Sequence, residues 1–503
     1  MRDPSGAAEL PLSLDRGAEA SLPTQLATAL RGAIDAGVLR PGELVQATRQ
    51  LALRLGVARG VVVAAYEQLI AEGYLEAGHG RGTFVRPELP ALRSAVSSEA
   101  VERRELRGAG EAASRELDHF GLSHSAPSPL PLTPGVPDTG AVDRPAWRSA
   151  WRHALIRAHV EAPDLGDPRL RVEIAEHLRR MRGTNRLPED VIVTAGAREG
   201  LGLLLTALGA SSNRRLVVGV EDPGYPSLRR VAIRHGAQIL ALPVDAEGLD
   251  PHALPTGALD VIIVTPSHQY PLGGSLPLAR RRELLTWAAR AGVVIVEDDY
   301  DSELRHTGSP LPALAALDDP AEGSVVLLGT FSTTISHALS AGYLLAPARL
   351  RKVIEPVRHD LGGAASAVVQ AALAEYLAGG ELRRHTARMR RRYATRRDLV
   401  VSKLDGIDGV RVRPMSGGLH AVLEFDHAQE DADAEERILK RTAEAGLGAV
   451  ALSRYWQRDS KQQGHFGLVI GTGGTNSSTM TDHSTFEDAL TRCSSSGGCE
   501  RSS

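Results

Sequence analysis

Cysteine is nearly absent from this chain of 503 residues, and its two cysteines, Cys493 and Cys499, lie within the last dozen positions. That placement excludes a disulfide framework and a metal cluster built from cysteine thiolates. The first residues contain no apolar run typical of a signal peptide, and no stretch of about 20 apolar residues is long enough to span a membrane. We therefore expect a cytoplasmic protein without a membrane segment.

Lysine is also scarce, and residues 1–351 contain none. Because a lysine amine is the group that bonds covalently to a carbonyl cofactor, most of the chain is excluded from such chemistry. The net charge of −3 argues against a uniformly basic coat for nucleic acid, although a small local DNA-binding face is compatible with it. The four lysines are Lys352, Lys403, Lys440 and Lys461.

The composition is otherwise that of a globular protein, with 42% hydrophobic and 24% charged residues and a length that fits about three domains. A charged, alanine-rich stretch followed by a proline-rich one indicates a linker. The serine- and glycine-rich end is typical of a disordered tail. The predicted parts are a first domain at 12–86, a linker at 87–131, a large domain at 132–485 with parts at 150–346 and 347–485, and a tail at 486–503.

The first domain has the pattern of two helices joined by a tight turn. One helix opens at Ala47 or Thr48 and closes at Gly56, and a longer one begins near Arg59. The stretch YLEAGHGRGTFV that follows is typical of a strand, a glycine-rich turn and a second strand. These elements predict a winged helix-turn-helix. The apolar stripe expected to be buried on the longer helix is Val62, Val63, Tyr66, Leu69 and Ile70.

Four arginines and a single acid fall within residues 40–59. Arginine can pair with phosphates or grip guanine with two hydrogen bonds. Arg59 stands at the start of the longer helix, the end that usually enters the major groove, and Arg81 stands at the tip of the wing. Taken alone, such arginines are more typical of a solvated helical face than of a DNA-binding surface.

The stretch PGELVQATRQLALRLGVARGVVVAAYEQLIAEGYLEAGHGRGTFV resembles the winged-helix domain of GntR-type bacterial regulators. The resemblance implies a double-stranded DNA operator as partner. The sequence departs from the family at Ala58, Gly60 and Val61, where serine, asparagine and threonine are usual, so three polar contacts to DNA are missing. The DNA contacts that the resemblance implies fall on Thr48, Arg49, Arg59 and Gly82.

The large domain alternates β-branched runs with helical stretches, which predicts a mostly parallel sheet covered on both faces. Loops at the carboxyl ends of such strands form ligand sites. Gly196 and Ala197 stand where helix amides can cradle a phosphate, Tyr225 offers an aromatic plate, and Asp298 and Tyr300 suit a pyridinium nitrogen and a phenolic oxygen. Each feature alone also fits an ordinary turn, a packed aromatic ring or a helix cap.

Together, the phrases PLTPGVPDTGA, VTPSHQYPLGG, EDDYDSELR and SGGLH resemble fold-type I aminotransferases over residues 130–480, and more closely the MocR branch of GntR regulators. The resemblance implies a DNA-binding head fused to an α/β aminotransferase-like body with a smaller α+β C-terminal part. It also implies pyridoxal phosphate as cofactor and a head-to-tail homodimer whose sites form at the subunit interface.

One segment departs from that family. In GTFSTTISHALSAGYLLAP, the resemblance places the cofactor-binding lysine at Thr333 and the phosphate-binding arginine at Ser340. A threonine hydroxyl cannot make the covalent bond. A loop serine of the family falls on Ala197, a substrate-binding arginine falls on Ser227, and the family's carboxyl-terminal arginine is not evident in HFGLVIGTGGTNSS. The remaining contacts are Tyr225, Asp298, Tyr300, Ser332 and the loop amides, with Arg198 either a replacement phosphate partner or a helix-surface arginine.

Three functions fit these observations. The first is a transcriptional regulator whose degenerate body binds a small anionic effector, with pyridoxal phosphate held weakly and noncovalently or not at all, since each lost charged contact weakens binding by about 1.5–3 kcal/mol. The second is a working aminotransferase with an appended head. The third is a decayed relative without function. We adopt the first and expect neither catalytic residues nor a metal.

Overall fold

The computed structural model divides the chain into two compact units, residues 1–114 and 115–503. Arg81 and most of the predicted linker and tail lie outside the residues that the structure describes, and the domain boundaries given above stay predictions. Among the described residues, no helix combines the length and apolarity needed to cross a membrane. The described residues are 12–18, 20–78, 82–86, 130–156, 163–212, 214–305, 312–404, 407, 409–415, 417–425, 431–457 and 465–474.

The first unit is the winged helix-turn-helix that the sequence predicts. Gly56 ends the second helix in the left-handed conformation, at φ 62°, which glycine adopts without the steric cost of a side chain. The two strands pair antiparallel from Leu75 with Val85 to Gly78 with Gly82. The elements are α1 (Leu22–Asp35), α2 (Thr48–Leu55), α3 (Arg59–Ala71), β1 (Leu75–Gly78) and β2 (Gly82–Val85).

The core of this unit lies between its helices and is closed by the strands. Val62, Tyr66 and Leu69 of α3 are buried as predicted, and Val63 is half-buried. The prediction for Ile70 is wrong, because this side chain is 39% exposed. Val62, Tyr66 and Leu69 lie within about 60° of one another around the helix axis, whereas Ile70 and Val63 lie about 80° and 100° from Val62, at the margin of this inner face.

The second unit contains two sheets with helices packed against them. The helices are α4 (Pro145–Ile156), α5 (Pro168–Arg182), α6 (Ala197–Ala210), α7 (Pro226–Arg234), α8 (Leu278–Ala291), α9 (Leu314–Leu317), α10 (Ala348–Leu361), α11 (Ala367–Ala378), α12 (Glu381–Leu404) and α13 (Asp431–Glu444). The strands are β3 (Val191–Thr194), β4 (Val217–Asp222), β5 (Gln238–Asp245), β6 (Gly248–Leu249), β7 (Val261–Val264), β8 (Val294–Asp299), β9 (Val325–Thr330), β10 (Gly342–Leu345), β11 (Val410–Val412), β12 (His420–Phe425), β13 (Val450–Ala451) and β14 (Gly467–Gly471).

The larger sheet has eight described strands in the order β3-β10-β9-β8-β7-β4-β5-β6. The five neighbours from β9 to β5 run parallel, while β10 is antiparallel to both of its partners. All four residues of β3 and of β7 are buried. A strand buried on both faces is apolar throughout, which is why these runs do not alternate in the sequence.

The smaller sheet forms the α+β part that the resemblance implies, with the described strands in the order β11-β12-β14-β13, all antiparallel. Its core joins apolar residues of β12 and β14 to the end of α12 and to α13. The buried members include Val400, Leu404, Leu423, Ile438 and Leu468.

Strand β8 ends in three acids whose side chains alternate between its two faces. Glu297 and Asp299 point to one face, where the fully buried Arg182 donates to Asp299 at 2.8 Å and lies 3.8 Å from Glu297. Glu297 also accepts the backbone N–H groups of Leu314 and Ala315 at 2.9 and 3.0 Å, at the start of α9. Asp298 is therefore turned to the opposite face.

Candidate functional site

The exposed face of α3 is the candidate DNA-binding surface of the first unit. It begins with Arg59, whose Nε donates to Thr48 Oγ1 at 3.3 Å and so connects the starts of α3 and α2. Arg49 is also exposed. The other exposed positions in the first two turns of α3, Gly60 and Ala64, carry no polar side chain. The structure therefore brings Thr48, Arg49 and Arg59 together at one end of the helix pair.

Two contacts fix the position of this surface. The Tyr66 hydroxyl donates to the carbonyl oxygen of Gln46 at 2.7 Å, which attaches α3 to the segment before α2. Gly82 starts β2 at φ 85°, and a side chain there would come within 3.2 Å of Leu44. Gly82 thus allows the backbone of the wing to turn at this position and to pass close to Leu44.

The second unit contains a cavity of about 400 Å³. It lies where β3, β4, β8 and β9 end, at the carboxyl edge of the larger sheet, the place where open α/β sheets bind ligands. All the residues of this unit that the sequence analysis proposed as cofactor contacts meet there. They are Gly196, Ala197, Tyr225, Asp298, Tyr300 and Ser332, together with Thr333 and Ser340 from the departing segment.

One side of the cavity is the start of α6. Gly196 precedes the helix at φ 108°, a backbone conformation that favours glycine. The first amide groups of an α-helix have no acceptor within the helix and carry partial positive charge, so the amides of Ala197 and Arg198 can hold an anion. The Arg198 side chain is exposed, while Glu199 is already paired with Arg358.

The opposite side presents the carboxyl group of Asp298. Asp298 is 4% exposed, and no described residue donates a hydrogen bond to it. Burial, followed by the nearby carboxyls of Asp299, Asp301 and Glu221, raises the pKa of Asp298 to about 8. The site therefore contains a buried carboxyl group that has no cationic partner in the described part of this chain.

A second buried acid lies beside it. Burial raises the pKa of Glu221 to about 7, although Thr265 and Gln269 donate to its carboxyl and oppose this effect. A void of about 20 Å³ lies between the two acids, lined among others by Glu221, Asp298, Thr265 and Arg229.

The Tyr300 ring is held from outside the cavity by His268. The Tyr300 hydroxyl donates to the carbonyl oxygen of His268 at 3.0 Å and lies 3.0 Å from Nδ1 of the same residue, which is also 2.9 Å from Asp301. His420 packs beside this pair, and its Nε2 donates to the carbonyl oxygen of Pro271 at 3.0 Å. Burial and the neighbouring His268 lower the pKa of His420 to about 4, so its ring is neutral.

Thr333 and Ser340 occupy the departing segment as uncharged residues. The Thr333 hydroxyl donates to the carbonyl oxygen of Tyr300. Ser340 adopts the left-handed conformation at φ 43°, which is uncommon for a residue other than glycine. None of the described residues that line the cavity is a lysine.

A loop of the smaller sheet borders the site through Leu419 and His420. Gly418 has φ 93°, and a Cβ atom at this position would lie 2.6 Å from the His268 ring and 2.7 Å from Asp301. Only a glycine therefore allows this loop to reach the His268–Asp301 pair.

Two family profiles match the chain. The profile for aminotransferase class I and II matches residues 131–446, and the profile for bacterial regulatory proteins of the gntR family matches residues 22–85. The first range includes the cavity, and the second includes α1 to β2.

Relatives of known name match this chain over nearly its whole length. The HTH-type pyridoxine biosynthesis transcriptional regulator PdxR of Corynebacterium glutamicum is 43% identical over 94% of this chain and 96% of its own. The probable rhizopine catabolism regulatory protein MocR of Rhizobium meliloti is 34% identical over 94% of both chains. The chain belongs to the MocR-type branch of the gntR regulators. TauR of Rhodobacter capsulatus, an HTH-type transcriptional regulator, is 32% identical over 86% of this chain and 89% of its own.

The body of this MocR-type regulator has the fold of an aminotransferase. An archaeal alanine:glyoxylate aminotransferase superposes with a TM-score of 0.66, covering 76% of this chain and 96% of its own at 21% identity. A multiple substrate aminotransferase from Thermococcus profundus gives 0.64, covering 77% and 96% at 19% identity. The predicted fold class, a winged helix-turn-helix followed by an aminotransferase-like body, is confirmed.

Sequence reasoning missed several residues that line the cavity. Pro134 and Gly135 come from the phrase PLTPGVPDTGA, and Leu419 and His420 come from SGGLH. Both phrases are among those that resemble the aminotransferase family, and this resemblance was the only signal in the sequence that these residues could lie near the site. Their side chains have no catalytic pattern of their own, which is why no site was assigned to them.

The raised pKa of Asp298 predicts a pH-dependent effect on the stability of this regulator. A free aspartate ionises near pH 4, while folded Asp298 does so near pH 8. Between these values the folded chain holds one more proton than the unfolded chain, so its stability falls as pH rises. Asp298→Asn is expected to stabilise the body by about 2–4 kcal/mol at pH 7.5, given about 1.4 kcal/mol per pKa unit, and hardly at all at pH 4.5.

Thermal unfolding at the two pH values checks this, followed by tryptophan fluorescence because all four tryptophans lie in the second unit. A stabilisation of the same size at both pH values would contradict the assigned pKa.

Proposed function

We propose that this protein is a DNA-binding transcriptional regulator of the MocR type whose aminotransferase-like body serves as an effector and dimerisation domain without catalysing a reaction. One observation carries the proposal: the same chain contains a helix-turn-helix with Arg59 at the start of its second helix, and an aminotransferase-type cavity. No lysine occurs among the described residues that line this cavity. Its expected location is the cytoplasm.

The residues of the cavity suit only part of pyridoxal phosphate. Asp298 would face the ring nitrogen, Tyr225 would cover the ring, and Ser332 with the amides at the start of α6 would hold the phosphate. When covalently bound in an enzyme, this cofactor serves as an electron sink. Thr333 supplies no amine for that bond, and Ser340 supplies no charge for the phosphate, so binding is expected to be weak and noncovalent.

Effector binding would act on DNA through the arrangement of subunits. The family resemblance implies a head-to-tail homodimer with the two cavities at the subunit interface. A ligand that binds one arrangement of the dimer more tightly shifts the population toward it, and the DNA affinity changes by the same coupling free energy. Sedimentation should give twice the mass of one chain.

A mobility-shift assay on the DNA upstream of the gene tests the proposal. We expect binding that weakens steeply as salt rises, because phosphate contacts release counterions. The alternative function, an aminotransferase with an appended head, predicts exchange of amino groups between an amino acid and a keto acid. Exchange of amino groups, together with the absence of salt-sensitive binding to neighbouring promoters, would overturn the proposal that the protein is a regulator.

Arg59 is the site of a second test of DNA binding. Arg59→Ala is expected to reduce operator affinity about 10- to 100-fold, since one two-pronged contact to guanine contributes about 1–3 kcal/mol. Arg59→Lys should retain more operator affinity than Arg59→Ala but less than the parent protein, because lysine lacks the planar guanidinium group that makes two hydrogen bonds to one base. Fluorescence anisotropy with a labelled duplex measures both variants.

The matched control is Arg290→Ala, which removes an exposed arginine from α8 in the other unit. Equal losses for the Arg59 and Arg290 variants would mean that affinity reflects net charge rather than a contact from α3.

A further inference from the structure

The described residues that line the cavity offer no amine to an incoming ligand. Thr333 is the uncharged residue at its floor, and its hydroxyl is already used by the carbonyl oxygen of Tyr300. The three lysines that the structure describes are exposed on α10, α12 and α13, and none lines the cavity: Lys352, Lys403 and Lys440. An aldehyde group on a ligand therefore finds no lysine among the described lining residues with which to form a covalent bond.

The cavity does retain a carboxyl group that has no hydrogen-bond or ion-pair partner among the described residues. Asp298 is 4% exposed, and the charged groups that bear on it are the acids Asp299, Asp301 and Glu221. An ionised carboxylate without a donor is costly to bury. A cationic N–H group of a ligand is the partner that would relieve this cost.

The other side of the cavity suits an anion. The 14-residue helix α6 begins there with the free first-turn amides of Ala197 and Arg198, and Ser332 adds a hydroxyl. A ligand that spans the site thus needs a protonated nitrogen and a phosphate-like group, with an aromatic ring between them beside Tyr225.

We infer that the cavity recognises phosphorylated pyridines by their ring nitrogen and phosphate, and is indifferent to the aldehyde that distinguishes pyridoxal phosphate from its amine and alcohol forms. The inference deepens the proposed function, because it rests on a body that binds its ligand noncovalently. In a lysine-bearing site the aldehyde form gains a covalent bond that the other two forms cannot make. Here the aldehyde and alcohol forms differ by one neutral hydrogen bond, which changes affinity by at most about tenfold, while the protonated amine form differs by one charged contact, which changes affinity by at most about a hundredfold.

Calorimetric titration of the full chain at pH 7.5 tests this with three ligands: pyridoxal phosphate, pyridoxamine phosphate and pyridoxine phosphate. The dissociation constants of pyridoxal phosphate and pyridoxine phosphate should agree within about tenfold, and that of pyridoxamine phosphate should lie within about a hundredfold of them. Borohydride treatment of the pyridoxal phosphate complex should leave the mass of the chain unchanged. Inorganic phosphate should compete weakly with all three ligands.

Asp298→Asn supplies the residue-level test, with Asp360→Asn as its matched control on the exposed surface of α10. Loss of the charged partner of the ring nitrogen should weaken all three ligands alike, by about 10- to 100-fold. The control should bind them as the parent protein does. A circular dichroism spectrum identical to that of the parent protein shows that the Asp298→Asn variant has folded.

Two results would overturn the inference. One is affinity for pyridoxal phosphate at least about a hundredfold above that for the other two forms, well beyond one hydrogen bond. The other is the absence of heat for all three ligands at millimolar concentration. Neither result contradicts the proposal that the protein is a transcriptional regulator. That proposal is tested separately by the mobility-shift assay, and it fails only if the chain does not bind DNA.

Discussion

Thr333→Lys is expected to turn a chain that forms no covalent bond with pyridoxal phosphate into one that carries it nearly stoichiometrically. The new side chain would extend from the cavity floor, where Asp298 and Tyr225 still face the same space. Partial burial lowers the pKa of a lysine and so raises its neutral, reactive fraction. Reduction with borohydride followed by intact mass and peptide mapping measures the adduct at position 333.

The matched control is Thr286→Lys, which places a lysine on the exposed side of α8. Surface lysines are fully protonated at neutral pH and react poorly, so this variant and the parent chain should show only trace labelling. An adduct on the unsubstituted protein, or equal labelling of the two variants, would disprove the idea that Thr333 alone prevents attachment.

Arg182→Met is expected to have the largest effect on folding. The arginine is 1% exposed and is the cation that faces Glu297 and Asp299. Its removal deprives two buried carboxyl groups of the guanidinium that contacts them, which typically lowers the free energy of unfolding by about 3–5 kcal/mol. Urea unfolding followed by tryptophan fluorescence reports on the second unit, which contains all four tryptophans.

Arg180→Met, two residues earlier on the same helix, is the control. Its guanidinium pairs with Glu176 at the surface, where such pairs contribute less than about 1 kcal/mol. Adding Asp299→Asn to Arg182→Met should recover part of the loss, because one unpaired charge is removed. If the Arg180 and Arg182 variants unfolded alike, the buried pair would not be a stabilising feature.

The larger sheet was predictable to the extent that its strands are local patterns. The run VIIV of β7 announces a strand buried on both faces. The antiparallel direction of β10, by contrast, depends on pairing with β3 and β9. The pairing with β3 joins residues more than a hundred positions apart, such as Gly342 and Thr194, and no local pattern encodes it.

The candidate site was predictable where a loop follows a strand. Asp298, for example, could be placed at the end of β8, because strand alternation and the order of motifs are both visible in the sequence. The lack of a partner for Asp298 could not be foreseen, because Arg182 lies more than a hundred positions earlier and serves Asp299 instead. His420 was missed for the same reason, since it reaches the cavity only through the smaller sheet.

Gly418 brings a loop of the smaller sheet close to two residues outside that sheet, His268 and Asp301. With no Cβ atom, its backbone rests directly on the His268–Asp301 pair that supports Tyr300. A larger residue at position 418 would therefore displace this loop from the pair, together with Leu419 and His420, which follow it and line the cavity. The shape of the cavity wall thus depends on a residue that does not itself line the cavity.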